Sequence, residues 1–196
     1  MKTGLYFGSF NPIHIGHMAI ANYMVEYTDL DEICFVVSPH NPLKLKSSLL
    51  EDHHRIRLAE IATDNDDRFY VSDIETKMPV PSFTIDTLAW LGERSPNKEF
   101  CLIMGGDNLA SLHKWKNANS LISNYQLYIY PRKDGVHSYP PQLEDLIRGA
   151  RITIAEAPQM EISGTFIRSS IATGKDIRHF LPPGVWKYID EMNFYR

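Results

Sequence analysis

The sequence predicts an α/β protein built on a doubly wound, mostly parallel sheet with helices on both faces. Three observations carry that expectation. Short β-rich apolar runs recur along the 196 residues, with helical patterns between them. Strand alternating with helix indicates a parallel sheet covered on both faces. Right-handed crossovers then make the fold doubly wound (Rossmann-like), with ligands outside the carboxyl ends of the strands.

The strands expected in order are KTGLYF (2–7), EICFVV (32–37), RFYVSD (68–73), EFCLIM (99–104), YQLYIY (125–130) and RITIAE (151–156). Between them, residues 15–29 read as a largely apolar helix with Ile15, Met18, Ala19, Ala21, Tyr23 and Val25. HHRIRLAEIATD (53–64) is amphipathic, with Ile56, Leu58 or Ala59, and Ile61 or Ala62 along one side. TIDTLAWLGER (84–94) is a further helix. SGTFIRSSIATG (163–174) opens on a Ser cap candidate and closes on Gly174, and 184–192 form a last helix after two prolines. The loops following strands, at 8–14, 38–52, 74–83, 105–118 and 157–163, are the candidate site loops. PRKDGVHSYPPQ (131–142) reads as an excursion rather than a domain boundary. One domain is expected over 1–196, with a small helical portion from about 160.

Composition excludes several classes. At 43% hydrophobic and 22% charged residues the chain is ordinary for a soluble globular protein. A net charge of −4 offers no global field for nucleic acid or an anionic membrane, so an anionic ligand must be held by local donors. No apolar run approaches the ~18 residues of a membrane span, and the first residues lack the regions of a secretory signal. Cys34 and Cys101 both sit inside strand-like runs, as buried, reduced thiols usually do. A cytoplasmic location is the resulting expectation. The sequence says nothing about oligomeric state.

One stretch is far denser in constraint than a strand-to-helix turn requires. GSFNPIHIGH (8–17) places Gly8 at a strand end, Pro12 in the turn, and His14 and His17 around the start of a helix. A helix amino terminus offers unpaired N–H groups and partial positive charge, which favour phosphate, and histidines add donors to a developing charge. Two histidines three apart are also a metal-ligand pattern, although no Cys, Asp or Glu in this loop completes a shell, so no metal site is assigned. Two solvent-facing histidines, or a zinc-binding module, are the alternatives. The stretch matches neither the dinucleotide fingerprint nor the P-loop.

GSFNPIHIGH resembles the G-x-F-x-P-x-H-x-G-H signature of the nucleotidyltransferase superfamily of adenylyl- and cytidylyltransferases. Three later segments, PSFTIDTL (81–88), GGDNLASLHKW (105–115) and ISGTFIR (162–168), make the chain similar from residue 4 to about 170 to the bacterial nicotinate-nucleotide adenylyltransferases. The resemblance implies adenylyl transfer from ATP to nicotinate mononucleotide, giving nicotinate adenine dinucleotide and pyrophosphate in NAD biosynthesis. It implies that His14 and His17 contact the ATP phosphates, His17 at the α-phosphate and His14 nearby. Gly8, Ser9 and Phe10 complete the ATP site together with Ser163, Thr165 and Arg168, whose segment grips the departing pyrophosphate. Mg²⁺ is expected to be bound mainly through the ATP phosphates.

For the acceptor, Ser82 and Thr84 lie at a helix start whose N–H groups suit the nicotinate carboxylate, with Phe83 between them; an ordinary cap would look the same. Asp107 is placed to accept from ribose hydroxyls, or is a bare cap. Trp115 can stack on a pyridine ring, though a lone Trp is more often core. Lys44 reaches toward phosphates from its loop, with Lys46 as competitor. Three departures from the family pattern stand out: S-P-H-N in place of P-P-H-K, Phe83 where Tyr is frequent, and Gly164 where a second Ser is usual. The alternatives are adenylyl transfer to another phosphorylated acceptor, such as pantetheine phosphate or nicotinamide mononucleotide, and a nucleotide-binding sensor without catalysis.

Overall fold

The computed structural model describes residues 1–39, 49–131 and 141–196. Strands β1 Lys2–Gly8, β2 Glu32–Val37, β3 Phe69–Ser72, β4 Glu99–Gly105, β5 Leu127–Tyr130 and β6 Ile152–Ile154 form one sheet in the order β3-β2-β1-β4-β5-β6. Every pairing is parallel. The helices are α1 Ile15–Tyr27, α2 Asp52–Thr63, α3 Thr84–Arg94, α4 Gly106–Ser111, α5 Ala118–Asn124, α6 Pro141–Ile147, α7 Gly164–Ala172 and α8 Pro183–Glu191. This is the doubly wound α/β fold expected from the sequence.

Strand periodicity of two explains why both faces are apolar. On one face Tyr6, Phe35, Ile103 and Tyr128 join a core with Ile20 and Met24 of α1, Leu58 of α2, Ile167 of α7 and Val185 of α8. On the other, Leu5, Cys34, Leu102 and Leu127 pack with Leu88 of α3, Leu109 of α4, Leu121 of α5 and Leu143 of α6. The sequence from Gly164 onward thus contributes to the same core as the first strand.

β1 and β4 are neighbours although β2 and β3 lie between them in sequence, so the strand order reverses there. The carboxyl ends are in register, with Gly8 opposite Val37 and Gly105 opposite Tyr130. In such sheets the ligand crevice opens at that reversal.

Some boundaries differ from expectation. The segment 105–118 holds α4, a 3₁₀ turn at Leu112–Lys114 and the start of α5. Helix α6 begins at Pro141, where loop was expected. The buried face of α1 is Gly16, Ile20, Ala21 and Met24, and Ala19, one of the apolar residues of this helix, is exposed. Gly174 follows the α7 cap residue Thr173 with φ +70°, the left-handed C′ position expected of it. Among the described residues no helix is long and apolar enough to cross a membrane.

Candidate active site

The loop leaving β1 is shaped by an aromatic ring. Phe10 has φ 43° and folds its side chain back over Gly8, where a Cβ would lie 2.8 Å from the ring. That left-handed conformation is uncommon for a bulky residue and is held here by packing. The ring is 2% exposed and meets Tyr6, Phe35 and His17 edge to face, 5.1 Å from the His17 centroid. Gly8 makes room for Phe10, and Phe10 supports His17. Ser9 is exposed, and its carbonyl accepts from Arg55 at 2.5 Å.

His14 is the N-cap of α1, in extended conformation, and is 4% exposed. Its carbonyl accepts from the N–H groups of His17 at 2.9 Å and Met18 at 3.3 Å. In return, its own N–H donates to Nδ1 of His17 at 3.2 Å. Acceptance at Nδ1 places the proton of a neutral His17 ring on Nε2. An imidazolium would instead turn an Nδ1–H against the His14 N–H, so this capping geometry belongs to the neutral ring. The two imidazoles stack with centroids 3.7 Å apart and planes 23° apart.

Both histidines line a cavity of about 400 Å³ with Ser163 and Gly164, beneath Tyr6 and Tyr130. Ile20, Met160 and Ile162 supply its apolar wall. Ser163 caps α7, its hydroxyl accepting from the Phe166 N–H at 3.2 Å. Thr165 and Arg168, one turn on, face an adjoining cavity with Leu50 and Tyr195. Arg168 donates through Nη1 to the Asn11 carbonyl at 2.7 Å and through Nη2 to Thr165 Oγ1 at 3.3 Å. Part of its guanidinium therefore braces α7 against the β1–α1 loop.

The residues expected on the acceptor side gather elsewhere, around α3 to α5. Phe83, not Ser82, is the N-cap of α3, and no side chain caps that terminus. Thr84 is the first helical residue. The Phe83 ring is 39% exposed with Lys116 Nζ 4.6 Å from its centroid, and Lys116 also pairs with Asp86 at 2.7 Å. Asp107 is exposed in the first turn of α4, after the cap residue Gly105. Trp115 is half-buried against the α3–α6 core and lines a separate cavity with His113 and Asn117. Lys44 and Lys46 lie outside the described residues.

Three residues that hold the site together escaped the sequence reading: Arg55, Asn11 and Tyr195. Arg55 is 0% exposed and ties Ser9, Ser38 and Leu50 by their carbonyls. A signal was present, since Arg55 lies three and four residues before Leu58 and Ala59, on the stripe that faces the core. Among the described residues no three His, Cys, Asp or Glu side chains converge to hold a metal.

A doubly wound sheet with a histidine-capped helix at its order reversal defines a class before it defines a reaction. Residues 5–170 match the cytidylyltransferase-like family, and the chain belongs to it. Closer relatives narrow the class. The chain is 52% identical over 196 residues to a Flavobacterium johnsoniae protein, covering all of both sequences, and 44% identical to one from Bacteroides thetaiotaomicron, covering 97% and 92%. Both carry the name "Probable nicotinate-nucleotide adenylyltransferase". Among solved structures, Plasmodium falciparum nicotinic acid mononucleotide adenylyltransferase complexed with NaAD superimposes with a TM-score of 0.78 at 21% identity, covering 99% and 97% of the two chains, a likeness of fold.

Proposed function

We propose that this chain transfers the adenylyl group of ATP to nicotinate mononucleotide, giving nicotinate adenine dinucleotide and pyrophosphate. The observation that carries the reading is the convergence of His14, His17 and the α7 amino terminus on one cavity at the β1/β4 reversal. The names of the full-length relatives support the choice of acceptor. The single-domain organisation and the cytoplasmic location belong to the same reading.

In this reaction an acceptor phosphate oxygen attacks the α-phosphorus, and the bond to the β-phosphate breaks to release pyrophosphate. The nucleophile is already anionic, so no general base is required. Two polyanions must be brought together in line, and the barrier is lowered by positioning and by donors aimed at developing charge. His17, supported by Phe10 and accepting at Nδ1, offers Nε2–H as such a donor. His14 stacks on it and holds the helix start. Ser163, Thr165 and Arg168 present hydroxyls and a guanidinium toward the departing phosphates. Glu161 also lines this cavity, but a single carboxylate among donors is not a carboxylate cage, which suits Mg²⁺ held through ATP phosphates, where it would neutralise phosphate charge. On the acceptor side, the uncapped start of α3 with Ser82, Phe83 and Thr84, then Asp107 and Trp115, and Lys44 from its loop, are assigned to the mononucleotide.

The test is pyrophosphate release from ATP and Mg²⁺ with nicotinate or nicotinamide mononucleotide in parallel. The nicotinate compound is expected to be the better substrate, and release with neither overturns the assignment. His17→Ala should lower kcat/KM by roughly a hundredfold or more with folding intact. A loss of only a few-fold removes His17 from its assigned role.

A further inference from the structure

We infer that Tyr195 is a positioning residue for the nucleotide half of the site, acting through Asn11. The inference rests on the adenylyl-transfer reading for its assay; its content rests on geometry. Asn11 is 5% exposed, midway along the loop between β1 and the histidines. Its side-chain carbonyl accepts from the Tyr195 hydroxyl at 2.7 Å and from the Leu50 N–H at 3.3 Å. Its main-chain carbonyl accepts from Arg168 at 2.7 Å. The entry to α2, helix α7 and the turn after α8 thus meet on one residue, three positions before His14.

Tyr195 is built into this position. Its backbone has φ 66°, a conformation a tyrosine rarely adopts unless packing imposes it. Burial pushes its phenol well above the ordinary tyrosine range, so the hydroxyl keeps its proton and remains a donor at any working pH. Two donors on one carboxamide oxygen hold the Asn11 side chain in a single orientation. Releasing the side chain frees the carbonyl that seats Arg168, and with it the α7 edge of the cavity. Apart from Lys44, which lies outside the described residues, the residues assigned to the acceptor lie at or between α3 and α5, elements that pack against the opposite face of the sheet. The effect should therefore fall on ATP and spare the acceptor.

Tyr195→Phe removes the hydroxyl and keeps the ring. Expected is a roughly 5- to 10-fold lower kcat/KM for ATP, the effect of one part-buried hydrogen bond, with the KM for nicotinate mononucleotide within about twofold of the parent. The same substitution in an Asn11→Ala background should add no further loss, because the contact is already absent. Wild-type ATP kinetics in Tyr195→Phe, a parallel change for both substrates with a lowered Tm, or additive losses in the double variant each overturn the inference. If the parent protein releases no pyrophosphate, the reaction assignment fails instead. Calorimetric titration with ATP then decides this inference, weaker binding by Tyr195→Phe supporting it and equal binding overturning it.

Discussion

At position 164 a single methyl group is too large. A Cβ there would lie 2.8 Å from the Asn11 carbonyl oxygen and 3.1 Å from Nη1 of Arg168. The absence of a side chain lets the first turn of α7 approach the β1–α1 loop closely enough for Arg168 to bond Asn11. From the sequence alone, Gly164 reads as a missing hydroxyl where its family places a second serine. The structure gives the position a steric reason that only the fold reveals. Gly164→Ser should therefore push α7 away from Asn11 rather than restore a phosphate donor. We expect a stability loss of about 1–3 kcal/mol from overpacking, measured by urea denaturation, and a lower kcat/KM for ATP. An improved kcat/KM with unchanged stability would show that the missing hydroxyl matters more than the close approach.

Helix α2 shows how one element organises loops it does not belong to. Its Arg55 donates through Nε to Leu50 at 3.1 Å, through Nη1 to Ser9 at 2.5 Å and Ser38 at 2.8 Å, and through Nη2 to Asp52 at 2.6 Å. It thereby staples the ends of β1 and β2 to the start of the helix. Arg55→Lys cannot reproduce a planar fork and leaves main-chain acceptors without donors; we expect a loss of about 2–4 kcal/mol in urea denaturation. Asp52 is 38% exposed at its side chain and can turn to water, so Asp52→Asn should cost under about 1 kcal/mol. Equal losses for the two variants would mean that the ion pair, not the carbonyl contacts, carries the role. The long elements were legible in the sequence because their apolar periodicity spans many residues. The six- and seven-residue helices α4 and α5 were not, since they bury only Leu109 in one, and Ala118, Leu121 and Ile122 in the other. The histidines were legible for a different reason: paired donors at a helix start have few structural uses, whereas an arginine counts as surface charge in any composition-based reading. Asn11 and Tyr195 lie 184 residues apart, and nothing local in either marks the contact.

Across the whole molecule, the two ends of the sheet do different work, and this sets how stability responds to pH. The carboxyl ends carry the cavities. The amino ends are closed by charge clusters: Lys2 with Asp29 at 2.6 Å and Gln126 at 2.7 Å, and Glu32 with Lys98 and Thr3, both at 2.6 Å. Between them the sheet buries Cys34 in β2 and Cys101 in β4. Burial pushes the Cys34 thiol up to about 12 and the Cys101 thiol up to about 11. An unfolded chain releases these protons near the ordinary thiol value of about 8.5. Below that value both states hold the proton and pH has no effect through this route. Above it the unfolded state ionises first, so stability falls, by roughly 1 kcal/mol per thiol at about pH 9.5. On the acid side His54, on α2 and 3.0 Å from the Tyr188 hydroxyl of α8, is lowered by burial and then by His53. The unfolded chain takes up that proton first as pH falls through about 6.5, so stability declines there too. Urea midpoints should form a plateau between these limits with an alkaline arm steeper than the acid one. Cys34→Ala combined with Cys101→Ala should flatten the alkaline arm relative to its own plateau. An unchanged arm in that double variant would move the cause to the tyrosines, of which Tyr70 and Tyr128 are also raised by burial. In the native protein at pH 8 neither thiol should react with a disulfide reagent within the time that both react in urea, because the thiolate forms only where water reaches it.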